Sequence, residues 1–281
     1  MLSCLVSANC QGVPLIRQLL AFQPFAKSYS PEFFVNFKKE SIPLEKLASC
    51  NLLIYQKLNA HWGELSEDYL QSHVNPKAKV VCMPNIYNPA LWPISKGTGD
   101  LSDPYNETYV DELMRRSLSK EEILYLIKKV DFAKHYDLQS MFAEAMKVER
   151  NKGYVRCAEF CDFIEENFSK TKLFTTFNHP YGILLNKVAQ TVLEEIGYRG
   201  VPDRLIPDLT CDDEYYMPIH PSVAKFFHLS FIDENTKYPV YGNMLTYYEY
   251  VAGYIFAREN KFPLAHYFRC LSERKKQISV R

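Results

Sequence analysis

Between Met1 and Asn85 the chain repeats one design, in which a short apolar run ends in polar residues and a helix-length amphipathic segment follows. The runs are Met1 to Ala8, Asn51 to Gln56 and Lys79 to Pro84, with a shorter β-prone stretch from Phe33 to Phe37. Runs that are apolar throughout, rather than alternating, belong to strands buried on both faces. Strand, helix and strand joined by short links imply right-handed crossovers and one parallel sheet. The expected fold class is α/β, a three-layer arrangement with helices flanking the sheet. Open sheets of this kind collect ligands at the carboxyl ends of their strands.

That edge is where the first run delivers Cys10, in Val6-Ser7-Ala8-Asn9-Cys10-Gln11-Gly12. A helix is expected to begin near Val13, with Pro14 in its first turn, where a missing N–H costs nothing. Its positive end favours thiolate over thiol at the preceding cysteine. Against this stands the ordinary role of a free cysteine as a small buried apolar residue. Position alone leaves both readings open.

The strand pattern returns at Lys172 to Phe177, ending in Asn178-His179-Pro180 before a helix striped with Leu184, Leu185, Val188, Val192 and Ile196. Read as a further parallel strand, it brings His179 to the same crevice as Cys10, where an imidazole can take a proton from the thiol or from a substrate hydroxyl. Backbone N–H groups at Cys10, Gln11 and Gly12, and the amides of Gln56, Asn85 and Asn178, are the expected donors to a developing oxyanion. His61, in Asn59-Ala60-His61-Trp62-Gly63, follows the third strand and is a further candidate for the lining.

Between these stretches, 106–168 turns helical and is expected to form an insertion or lid. Ser119 with Glu122 reads as a capping box, Asp137 as a second cap, and Cys157, Phe160, Cys161, Ile164 and Phe168 as one buried stripe. The segment Asn85 to Tyr105 has no periodicity and reads as a packed loop near the site. Residues 199–281 are expected to pack on the core as a helical extension of a single 1–281 domain, with an irregular acidic segment from Asp208 to Glu214 and an aromatic helix from about Met244 to Arg258.

Composition narrows the partners. With 33 basic and 33 acidic residues the net charge is zero, which offers nothing to nucleic acid or an anionic membrane. No apolar run approaches the ~20 residues of a membrane span, and the amino terminus does not read as a secretory signal. Eight scattered cysteines without paired metal spacing imply no metal and a reducing, cytoplasmic setting. Phosphate loops of the P-loop and dinucleotide types are absent, as is a Gly-x-Ser-x-Gly elbow.

Five stretches together resemble the WcbI-like family of capsular polysaccharide biosynthesis proteins, regarded as acetyltransferases that bind coenzyme A. They are Asn9-Cys10-Gln11-Gly12, Tyr55-Gln56 with His61-Trp62-Gly63, Met83-Pro84-Asn85-Ile86-Tyr87, Asp103-Pro104-Tyr105, and Phe177-Asn178-His179-Pro180. The layout is also similar to SGNH-type esterases and acetyltransferases, with a flavodoxin-like sheet. There, a Gly-Asp-Ser block carries the nucleophile and an Asp-x-x-His block the base. Here cysteine replaces serine, and Thr176 stands where the orienting acid would be. The resemblance implies an O-acetyltransferase moving acetyl from acetyl-CoA to a sugar hydroxyl of a polysaccharide precursor through Cys10 and His179. An esterase or deacetylase using the same pair, or a non-catalytic CoA or glycan binder, are the alternatives. The anionic end of CoA requires cations, for which Arg17, Lys57, Arg115, Arg116 and Arg150 are the candidates.

Overall fold

The computed structural model describes residues 1–100, 103–205 and 214–279. Four parallel strands, β1 (Leu2–Ala8), β2 (Tyr29–Val35), β3 (Leu52–Tyr55) and β4 (Lys79–Cys82), form the central sheet in the order β2-β1-β3-β4. This order places the reversal of winding between β1 and β3, the point where doubly wound sheets open a crevice. β1 runs in register with β2 from Leu2↔Tyr29 to Ala8↔Val35, and with β3 from Cys4↔Leu52 to Ser7↔Tyr55.

The helices of this half are α1 (Gly12–Ala21), α2 (Gln23–Ser28), α3 (Leu44–Ser49) and α4 (Glu67–His73). Strand alternation sorts their packing. Cys4, Val6, Ala8, Leu52 and Ile54 point to one side, where Leu15 and Leu19 of α1 join the main core. Leu5, Leu53 and Tyr55 point to the other, against Leu47 of α3 and Leu70 of α4. Two apolar layers on one sheet produce the three-layer arrangement.

The second strand differs from its expected place. It begins at Tyr29 and stops at Val35, and Phe37 sits in a 3₁₀ turn, Asn36–Lys38. Its Pro31 and Glu32 break the apolar pattern, which an edge strand tolerates because one side needs no ladder partner.

Beyond the sheet, β5 (Ser95–Gly97) and β6 (Tyr105–Glu107) pair antiparallel inside the long loop. The helical insertion follows as α5 (Thr108–Arg115), α6 (Lys120–Lys129), α7 (Leu138–Arg150) and α8 (Cys157–Asn167). The expected Ser119/Glu122 capping box and Asp137 cap are both made.

The largest departure concerns the expected fifth parallel strand. β7 (Phe174–Thr176) and β8 (His179–Pro180) pair with each other as an antiparallel hairpin outside the central sheet. Pro180 therefore lies in β8, and α9 (Gly182–Glu195) starts after Tyr181 with its apolar stripe packed in the main core. Gly197, at φ +94°, occupies the left-handed position that closes this helix.

The chain ends in α10 (Pro221–Phe226), the hairpin β9 (Tyr238–Val240) and β10 (Asn243–Leu245), α11 (Tyr247–Glu259) and α12 (Leu264–Ser279). Met244 belongs to β10, so the aromatic helix starts three residues later than its composition implies. The acidic stretch 208–213 lies outside the described residues. No described helix is long and apolar enough to cross a membrane.

Candidate active site

Cys10 sits in the three-residue link between β1 and α1, and the link is built around Asn9. The Asn9 carbonyl accepts the Gly12 N–H at 2.9 Å, and its side-chain oxygen accepts the Gln11 N–H at 2.9 Å. Its own N–H donates to Gln56 Oε1 at 2.8 Å, and its amide donates to Asn85 Oδ1 at 3.2 Å. This Asx turn ties the end of β1 to the ends of β3 and β4. Gly12 is required by space: a Cβ there would lie 2.4 Å from the Phe33 ring and 3.0 Å from Ala8 Cβ.

His179 arrives from the hairpin. Its Nε2 is 3.0 Å from Cys10 Sγ and its Nδ1 is 2.8 Å from Thr176 Oγ1. The Thr176 hydroxyl donates its single proton to Asn178 Oδ1 at 2.9 Å, so toward His179 it acts as acceptor. Nδ1 therefore carries the imidazole proton, and the Nε2 lone pair faces the thiol. Tyr105 OH closes the group, 3.3 Å from Thr176 Oγ1. Burial pushes the His179 pKa down from 6.5 to about 4, so the ring is neutral, and basic at Nε2, at neutral pH. Thr176 thus occupies the orienting position of an acid without supplying charge.

Among the other cysteines, burial pushes the Cys4 and Cys161 thiols up to about 12 and Cys82 to about 11. These behave as inert apolar side chains. Cys211 lies outside the described residues. Among the described residues no group of His, Cys, Asp or Glu is arranged to hold a metal ion.

The thiol and imidazole open into a cavity of about 580 Å³, whose lining includes Asn9, Lys38, Tyr105, Phe177, Tyr215 and Tyr241. No residue of 106–168 lines it; cover comes from the loop at Gly97–Asp100 and from Tyr215 and Tyr241 of the carboxyl-terminal part. Within that segment α6 packs against α11, and α5 packs against β5 and β6, whose Gly97 and Tyr105 line the cavity. Tyr215 stacks between Tyr105 and Tyr241, at ring separations of 5.4 and 5.1 Å. Behind it, Tyr215 OH meets Tyr250 OH, which donates to buried Glu107.

The expected amide donors are distributed differently. Gln11 is buried, and its side-chain N–H groups go to the carbonyls of Ile86 and Asn178 at 2.9 and 2.8 Å, so it bolts the cysteine turn to the histidine hairpin. Gln56 is equally committed, accepting from Asn9 and Asn36 and donating to Asn9 and Pro84. The Gln11 and Gly12 N–H groups are bound to Asn9, so these two donors are committed to the turn. Asn85 supports Asn9 from outside the lining, whereas Asn178 lines the cavity. His61 is exposed in a 3₁₀ segment, Ala60–Leu65, and does not reach the cavity.

None of the five expected CoA cations lines the cavity either. Lys57 pairs with Glu67, Arg115 and Arg116 with Glu112, and Arg150 with Asp162 and Glu165, while Arg17 is exposed on α1. Among the described residues the cation in the lining is Lys38, from the 3₁₀ turn after β2. Its position just past a strand's carboxyl end was the available signal.

A thiol and a neutral imidazole in contact at the switch point of a doubly wound sheet define an α/β protein equipped for cysteine chemistry. The chain belongs to the family of the polysaccharide biosynthesis enzyme WcbI, whose model matches residues 3–201. A solved structure of WcbI covers 95% of this chain and 92% of its own at 16% identity, with a TM-score of 0.77. At that identity the likeness is one of fold. That structure is the native protein without a disulfide bond between CoA and one of its cysteines. No curated protein matches the sequence.

Proposed function

We propose that the protein is an O-acetyltransferase that takes acetyl from acetyl-CoA and passes it to a sugar hydroxyl of a polysaccharide precursor. The observation that carries this reading is the Nε2–Sγ contact of 3.0 Å, with Nδ1 anchored on Thr176. An orienting hydrogen bond, a base and a nucleophile in line are the working parts of covalent acyl transfer. The neighbour's association with CoA supports the choice of donor.

In this reading Cys10 Sγ attacks the acetyl carbonyl as Nε2 removes its proton. The thioester bond to CoA breaks, and His179 returns the proton to the departing CoA sulfur. Acetyl then rests on Cys10. In the second half, Nε2 takes the proton of a sugar hydroxyl, the hydroxyl oxygen attacks the acetyl-cysteine, and the proton passes to the cysteine sulfur. A neutral imidazole serves both halves, as the burial of His179 requires. Lys38 at the cavity wall is the cation available to the phosphates of CoA, and Asn178 is the amide available to the developing oxyanion.

Free CoA thiol released from acetyl-CoA, followed with and without sugar acceptors, tests the reading. Release that rises with a sugar acceptor and leaves an O-acetyl sugar is expected. Release at the same rate into water alone would assign a hydrolase instead.

A further inference from the structure

β6 sends two buried side chains to one face, Tyr105 and Glu107, with Asn106 between them on the other. Tyr105 serves the site: its hydroxyl lies 3.3 Å from Thr176 Oγ1 and 3.5 Å from His179 Nδ1. Glu107 is 1% exposed and takes no part in the proton transfers of the pair.

The two residues are joined a second time, through tyrosines. Tyr250 OH donates to Glu107 Oε1 at 3.2 Å, and Ser95 Oγ donates to Oε2 at 3.0 Å. The Tyr250 hydroxyl has one proton and gives it to the carboxylate, so Tyr215 OH is the donor in its 3.1 Å contact with Tyr250. The Tyr215 ring lies on that of Tyr105 at 5.4 Å and 15°, which closes the loop. Each of these protons points toward Glu107, as a carboxylate requires. A neutral acid requires a different arrangement. Its added proton must go to Tyr250 or Ser95, both of which are donors, so one hydroxyl has to turn. When Tyr250 turns toward Tyr215, the Tyr215 proton loses its acceptor inside the packed stack.

Among the described residues, the groups facing Glu107 come from four directions. Asp111 of α5 and Arg258 of α11 act on it by charge, and Arg258 is also bound to Asp103 and Asn106. Tyr254 of α11 accepts the Glu107 N–H and donates to Asp111. Tyr247 of α11 and His220, at the start of α10, line a small space beside it. His220 is bound to Ile127 O, and burial holds its pKa below 6.5. For Glu107, burial pushes the carboxyl up from 4.5 to about 7.

We propose that Glu107 is a positioning residue for the Cys10–His179 pair, its protonation state setting the tyrosine relay that seats Tyr105 beside Thr176 and His179. Ionised, it fixes Tyr215 and, through the stacked rings, Tyr105. Protonated, it releases Tyr215 and loosens the anchor of the imidazole. The coupling acts on the contact between thiol and imidazole, whatever group that pair transfers.

Alkylation of Cys10 by iodoacetamide, followed by peptide mapping from about pH 5.5 to about pH 8, tests the coupling. The parent is compared with Glu107→Gln, whose amide carries a donor at every pH, as the neutral acid does. The ratio of parent to variant rates removes the ionisation of Cys10 common to both. It should be near one at the acid end and rise about fivefold toward the alkaline end, with its midpoint near 7. Tyr215→Phe, which keeps the ring and cuts the relay, should give the same rise. A ratio that is the same at every pH, in either variant when folded, would make Glu107 a structural group and overturn the proposal. Should Glu107→Gln melt below the assay temperature, Tyr215→Phe alone decides. Alkylation needs no CoA, so failure of the parent to transfer acetyl would refute that reading and leave this test intact.

Discussion

Cys10 stands on a turn fixed from inside the sheet, whereas His179 stands on a hairpin fixed from outside it. The cysteine turn ends a seven-residue strand paired on both sides, and Asn9, Gln56 and Gly12 hold it through contacts that the sheet itself brings together. The histidine hairpin has three residues against two and an irregular register. It is secured by borrowed partners: Phe177 O accepts from Asn88 N–H, Leu173 O from Tyr181 N–H, Thr175 O from Met217 N–H, and Asn178 O from the Gln11 side chain. The nucleophile's position thus follows from topology, while the base's position depends on a few individual hydrogen bonds. Substitutions should act unequally on the two halves.

The largest effects break the pair itself. Cys10→Ala should eliminate acetyl transfer through the enzyme, and His179→Ala should slow it about a hundred- to ten-thousandfold, as loss of a general base does. Stopped-flow assay of CoA release measures both. Thr176→Val should come next. It leaves the Nδ1 proton of His179 without its acceptor, at a cost of about 1–3 kcal/mol. Transfer should fall roughly five- to hundredfold while the affinity for acetyl-CoA is kept, and Thr176→Ser should restore it.

Gln11→Leu and Gln56→Leu compare the two modes of attachment. Each leaves buried groups unpaired and should lower unfolding free energy in urea by about 1–3 kcal/mol. Only Gln11→Leu should also slow Cys10 alkylation at neutral pH, because only that bolt reaches the hairpin.

Acid should act through the histidine side. The folded-state pKa of about 4 lies below the 6.5 of an ordinary histidine, so the unfolded chain binds the proton first. This contribution to stability is intact above pH 6.5 and is lost as pH falls toward 4. The melting temperature of the parent should drop through that window more steeply than that of His179→Gln. The smallest effect concerns charge. Lys38→Gln should weaken CoA about two- to fivefold, in keeping with ~0.2–1 kcal/mol for an exposed ion pair. Arg115→Gln should not change it.

The same division governed what could be read from the sequence. Cys10 was legible because a buried parallel strand announces itself by a continuous apolar run, and its carboxyl end is a known address. His179 was found from a strand-like run as well, but an apolar run carries no direction of pairing, so a hairpin was read as a fifth parallel strand. The Thr176 contact was foreshadowed by its place where an acid would stand, although hydroxyl and carboxylate leave different traces only in three dimensions. Surface charges were the least legible: Arg115, Arg116 and Arg150 satisfy neighbours on their own or adjacent helices. Tyr215 and Tyr241 come from the part of the chain past the family match, where no motif marked them.

Peptide mapping by mass spectrometry after brief mixing with acetyl-CoA and an acid quench bears most directly on the pair. An acetyl group on the Cys10 peptide is predicted in the parent protein, much reduced in His179→Ala and discharged when a sugar acceptor is added. Acceptor acetylation with no acetyl ever trapped on Cys10, and with rates unaltered by Cys10→Ala, would contradict the account.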